Sequence, residues 1–161
     1  MNISEISYCR GVTLVTLRNV PFDSAVIGAL FTAIAEGGVN VDMISQTAPL
    51  GQSISVAFTV AQDALNTLLP VVNGFKAEHP ALNLELSPGM TKLNFYDADM
   101  VNTPGVAASV FSVLGAEGVS VTMITTSVLD ISLLVPEHQE EMALKACASA
   151  YGVEPWEASF S

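Results

Sequence analysis

Thr103-Pro104-Gly105 is the stretch whose residue types and spacing are suited to holding an anion. Thr103 carries a hydroxyl that can cap a helix. Pro104 suits a first helical position, where its missing N–H costs nothing, and Gly105 permits close approach to the backbone. A helix N-terminus presents N–H groups that lack intrahelical partners, and these favour negative charge. Asp42 and Gln46 add a carboxylate and a carboxamide on a strand pattern, where they serve either a ligand or a solvated edge.

Catalysis has less to work with. Cys9 and Cys147 are isolated and have no metal-ligand spacing. His79 precedes a proline in a loop, and His138 lies in the acidic helix start PEHQEE, so both read as solvated. The run Glu137 to Glu141 complements a helix dipole without any metal. No glycine-rich phosphate loop with a lysine is present, and no nucleophile stands beside a base. The expectation is a chain that is not an enzyme and that needs neither metal nor cofactor.

Composition narrows the partners. A net charge of −11 with five Lys and Arg residues opposes binding to nucleic acid, which needs several basic contacts, and to anionic membrane surfaces. No apolar run approaches the ~18 residues of a membrane span. The opening MNISEISYCR has neither a charged nor an apolar leader region, so a cytoplasmic protein is expected.

The elements that must position these groups come in a definite order. Residues 1–10 read as an arm of little pattern, and Val12 to Leu17 as a strand by β-branched content. Ser24 to Glu36 reads as a helix with Ile27, Leu30, Phe31 and Ile34 on one face, stopped by Gly37-Gly38. Val39 to Gln46 and Ser53 to Val60 follow as a hairpin across Leu50-Gly51-Gln52. Asp63 to Phe75 is a second helix, and Leu82 to Leu86 a short strand. The order is β-α-β-β-α-β.

That order repeats. At one constant offset Phe111 falls on Phe31, Leu114 on Ile34, Gly118 on Gly38 and Met123 on Met43. Lys92 to Asp97 takes the place of the first strand. After a slightly tighter hairpin, Val135 falls on Val60. Glu137 to Tyr151 is the last helix, and Trp156 to Phe160 the last strand. Two copies of one unit, residues 1–88 and 89–161, predict an α+β fold of two ferredoxin-like domains. Each copy has an antiparallel sheet with both helices on one face. Sheet faces left bare by the helices predict a homodimer through the sheets.

Several motifs make the resemblance specific. Asn40-Val41-Asp42-Met43-Ile44-Ser45-Gln46 is similar to the N-[IV]-D-M-I-x-Q strand of the first ACT domain of aspartokinases, and Phe58-Thr59-Val60 to its hairpin partner. Pro104 to Phe111 is similar to the P-G-V-A-A-x-x-F of the second domain, and Ile124 to Ser132 to the strand pair after it. Over residues 12 to 152 the chain thus resembles the tandem ACT domains of the aspartokinase regulatory region.

The resemblance implies an allosteric module that binds a small amino acid, such as lysine or threonine, where ACT domains meet. It implies action on a catalytic kinase domain or subunit that these residues do not contain. One implied seat uses Asp23, Ser24, Ala25 and Gln46, facing Ser120 and Val121 of another domain. Its counterpart uses Asn102, Thr103, Gly105 and Val106, facing Asn40, Val41 and Asp42. The family's D-x-P-G before the first helix is absent here, where Phe22-Asp23-Ser24-Ala25 stands, and its T-S-E-I-[KR] has become Thr126-Ser127-Val128-Leu129-Asp130. These departures leave open a second role, a degenerate ACT pair serving as a dimerisation scaffold without an effector. Whether the chain is free-standing or part of a longer kinase stays open as well.

Overall fold

A computed structural model describes residues 2–160. The described residues form two compact units. The first unit is Gly11–Pro88; the second joins the chain up to Arg10 with Gly89–Ser159.

The first unit holds most of strand β1 (Glu5–Pro21), helix α1 (Ser24–Glu36), strands β2 (Ile44–Gln46) and β3 (Ser53–Ala61), helix α2 (Leu65–Glu78) and the start of strand β4 (Asn83–Tyr96). Its strand order is β2-β3-β1-β4. β3 runs antiparallel to β1, with Val15 opposite Phe58, and antiparallel to β2, with Ile44 opposite Phe58. Alternate residues Val15 and Leu17 of β1, and Ile54, Val56, Phe58 and Val60 of β3, meet Leu30 and Ile34 of α1 and Leu68, Val72 and Phe75 of α2. The strand period of two thus supplies one apolar face, and the helices cover it. Phe31 sets its ring edge-on to Phe58 at 5.5 Å.

The second unit repeats the plan with helix α3 (Val106–Ala116), strands β5 (Met123–Thr126) and β6 (Asp130–Pro136), and helix α4 (Glu140–Tyr151). Its order is β1-β4-β6-β5, with the two-residue strand β7 (Trp156–Glu157) parallel to Ser7 and Tyr8 of β1. Leu93, Phe95, Ile131, Leu133 and Val135 face Val110, Leu114, Ala143 and Cys147, and Ile6 of β1 joins that core. The ferredoxin-like reading is therefore correct in each unit.

Three local expectations change. Residues 5–10, read as an arm, are the first part of β1. Gly11, with φ +67°, sits inside that strand. Likewise the two strands expected on either side of Ser87-Pro88-Gly89 are one continuous strand, with Gly89 also at φ +67°. At both points where the chain passes from one unit to the other within a strand, a glycine takes the left-handed conformation that other residues avoid. Finally, the strand expected over Trp156 to Phe160 pairs only at Trp156–Glu157.

Candidate functional site

Apart from Gln46, the last residue of β2, the candidate site residues fall on two kinds of place, a helix start and a strand entry, and each unit has one of each. In the first unit α1 begins at Asp23, whose extended backbone and carboxylate make it the N-cap: Oδ1 accepts from the Ala25 N–H at 2.9 Å. Ser24 and Ala25 are exposed in the first turn. One of the unpaired helix-start donors is therefore already taken by the protein's own carboxylate.

Asn40, Val41 and Asp42 form the strand entry of this unit, an extended segment ahead of β2. The Asp42 N–H donates to the Thr59 carbonyl at 3.1 Å. Met43 and Thr59 then bond twice: the Met43 N–H donates to Thr59 Oγ1 at 2.9 Å, and the Thr59 N–H to the Met43 carbonyl at 3.0 Å. Asn40 and Gln46 are exposed, whereas Met43 is buried, as expected of a core residue.

The helix start of the second unit is built differently. α3 begins after Gly105, which adopts φ +89°, ψ 10° and offers no side-chain cap. Pro104 stays in the preceding turn, so it is not the first helical residue. Thr103 does not cap either: its hydroxyl donates to the Asp99 carbonyl at 3.0 Å, closing the turn Met100–Asn102. That turn is braced from below, since Asn102 Nδ2 donates to Asp99 Oδ1 at 2.7 Å and the Asp99 N–H to Asp97 Oδ2 at 3.1 Å. Val106 is buried and anchors the first turn of α3, while Asn102 and Gly105 are exposed. The result is a helix start without a protein carboxylate on it, within a loop carrying Asp97 and Asp99. A ligand's carboxylate suits the helix N–H groups, and its ammonium suits the nearby aspartates.

Ser120 and Val121 form the strand entry of the second unit. The Ser120 N–H donates to Gln139 Oε1 at 2.8 Å, and Gln139 Nε2 donates to the Gly118 carbonyl at 3.4 Å. Sequence reasoning missed Gln139, because its partner is a backbone group that leaves no mark in residue types.

The acidic run expected to complement a helix dipole contains one buried member. Glu140 is only 8% exposed. Arg10 Nε donates to both its oxygens, at 2.9 and 2.8 Å, and the Thr91 hydroxyl donates at 3.2 Å. The hydrogen bond and charge of Glu140 hold the Arg10 guanidinium above its ordinary pKa. Arg10 also lies 5.2 Å from the Tyr8 ring centre. Beside it a shallow cavity of about 450 Å³ is lined by Tyr8, Leu144, Lys145, Glu154 and Pro155. No group of three metal-ligating side chains comes together among the described residues, and no described helix is long and apolar enough to cross a membrane.

Two βαββαβ units, each with a helix start and a strand entry, share the plan of regulatory ACT domains, and an ACT-domain family model matches residues 96–151. An aspartokinase of Bacillus sp. (strain MGA3) is 30% identical over 149 residues, 92% of this chain and 36% of the relative. Among solved structures, the ligand-free regulatory subunit of aspartate kinase from Thermus thermophilus superposes with a TM-score of 0.85 at 27% identity, over 94% of this chain and 99% of that one. Aspartate kinase from Synechocystis gives 0.87 at 31% identity, over 95% of this chain and 27% of that one. The chain is similar to the regulatory ACT domains of aspartokinases. It spans little more than a third of the length of the curated relatives it matches, and it corresponds to their regulatory part, not to a catalytic kinase domain.

Proposed function

We propose that this module senses a small amino acid, lysine or threonine, where ACT domains meet, and conveys its binding to a catalytic aspartate kinase domain or subunit. The observation that carries the proposal is the start of α3. Gly105 in the left-handed conformation leaves the first N–H groups without a side-chain cap, while the loop before it bears Asp97 and Asp99. Asn102, Thr103, Gly105 and Val106 form this half of the seat, and Asn40, Val41 and Asp42 the half it faces. Asp23, Ser24, Ala25 and Gln46, with Ser120 and Val121, form the second seat. Binding acts by favouring one arrangement of domains over another through differential affinity. The module works as a cytoplasmic homodimer joined through its sheets.

Calorimetric titration with lysine, threonine, methionine and aspartate, with the mass in solution recorded alongside, tests this. Saturable binding by lysine or threonine to a dimer is expected, and it should be lost in the double variant Asp23→Ala, Gly105→Val. Unchanged affinity in that variant rules out the seats. A scaffold role without effector is favoured by one observation, that Asp23 already occupies a donor of α1. A folded dimer that binds none of the four amino acids establishes that role instead.

A further inference from the structure

Gln139 stands at the N-cap position of α4, yet its side chain does not cap its own helix. Its carboxamide turns instead to the strand entry of the same unit, accepting from the Ser120 N–H at 2.8 Å and donating to the Gly118 carbonyl at 3.4 Å. One donor and one acceptor of an exposed backbone segment are thus read at two points by a single amide. Added strands and amide-bearing ligands engage a peptide edge in the same pattern.

The other repeat lacks this device. There the corresponding place, between the turn Gln62–Ala64 and α2, is Ala64, which makes no side-chain hydrogen bond. Two units built on one plan therefore differ at the strand entry: in the second it is filled by the chain's own side chain. Gln139 is half-buried and Ser120 exposed, so the carboxamide can leave without disturbing the core. A hydrogen bond at such a surface has a small net value, because water replaces the partner that departs.

Resting on the amino-acid-sensor reading above, we infer that Gln139 is an internal ligand of the Ser120 strand entry. It competes there with the main-chain carboxylate of an amino-acid effector, or with a carboxamide on the effector's side chain. The Ala25 N–H is likewise held by the chain's own Asp23, and the Ser120 N–H by Gln139. The seat at α3 has no such occupant at its helix start.

The test is calorimetric titration of the parent protein, Gln139→Ala and Gln139→Met with L-lysine and L-threonine, with melting curves to confirm folding. Methionine keeps the length of the side chain while losing both hydrogen bonds. Either variant is expected to bind roughly three- to tenfold more tightly than the parent, or to gain a second binding event per chain. A merely structural role lowers the melting temperature without improving affinity. Equal or weaker affinity in both variants, against a parent that binds, overturns the internal-ligand role and leaves the sensor reading intact. No binding by any of the three proteins overturns both.

Discussion

Arg10 donates through Nε to both carboxylate oxygens of Glu140, at 2.9 and 2.8 Å, across a sequence separation of 130 residues. The two ends of this pair lie in very different surroundings. The Glu140 side chain is 10% exposed and that of Arg10 50%. The first unit has a two-pronged pair, Arg18 Nε and Nη2 with the two oxygens of Glu85 at 3.0 and 3.1 Å, but its two side chains are 51% and 53% exposed. Removing a cation from a buried carboxylate leaves a charge that water cannot solvate, whereas an exposed carboxylate rehydrates. Arg10→Ala should therefore lower the melting temperature by several degrees, with Arg18→Ala unchanged within error. Thermal unfolding followed by circular dichroism checks the contrast, and equal effects would refute it.

Much of the fold was legible because it rests on local periodicity. Ile27, Leu30, Phe31 and Ile34 mark the core face of α1 by helical spacing, and Ile54, Val56, Phe58 and Val60 mark that of β3 by alternation. Residues 5–10 were not legible, because their buried positions, Ile6 and Cys9, are three apart and break the strand period. Gly11 and Gly89 hid two strand continuations, since a glycine with positive φ inside a strand and one in a turn look alike in sequence. At the site, Asp23 and Ser24 both suit a cap by residue type, and the structure gives that place to Asp23. Thr103 was misassigned, because its hydroxyl had an equally near backbone acceptor in the turn before it. Gln139 and the Arg10–Glu140 pair depend on contacts distant in sequence, which one chain's residue types do not encode.

The two helix starts make opposite predictions for capping. Asp23 Oδ1 holds the Ala25 N–H at 2.9 Å, whereas Thr103 gives α3 no side-chain bond. Asp23→Ala should cost about 1 kcal/mol, within the ~0.5–2 kcal/mol typical of a lost cap. Asp23→Asn, which keeps the acceptor, should recover most of it. Denaturant titration of both variants decides the matter, and an Asn variant as unstable as the Ala one would argue against a capping role.

Cys147 is fully buried in the core of the second unit, and burial pushes its thiol up to about 11 from an ordinary 9.0. Tyr151 on the same helix is also raised, chiefly by burial, although its 2.7 Å hydrogen bond with the Ser109 hydroxyl works the other way. The folded state prefers the protonated thiol. Its contribution is therefore complete below pH 9 and is lost as the pH climbs towards 11. The parent protein should lose melting temperature more steeply than Cys147→Ala over that interval. At neutral pH the native thiol should resist a maleimide that labels the unfolded chain at once. Parallel pH profiles, or rapid labelling of the native protein, would contradict this.

Three threonines, all with no measurable exposure, separate the value of a hydrogen bond from the cost of burial. Thr59 Oγ1 accepts from the Met43 N–H at 2.9 Å, and Thr91 Oγ1 donates to Glu140 at 3.2 Å. Thr13, opposite Val60 on β1, has a buried Oγ1 that meets no hydrogen-bond partner among the described residues. Valine has nearly the same shape and no hydroxyl, so each Thr→Val change deletes the polar group while filling its space. At Thr59 it also strands a buried backbone N–H, which should cost about 1–3 kcal/mol. At Thr91 it removes a donor from the carboxylate that Arg10 already holds, so a smaller loss follows. At Thr13 it removes a polar group whose desolvation nothing offsets, so the protein should become more stable, by about 1 kcal/mol. Urea unfolding of the three variants tests the order Thr13→Val above parent, parent above Thr91→Val, and Thr59→Val lowest. Destabilisation by Thr13→Val would mean that its hydroxyl finds a partner in solution after all.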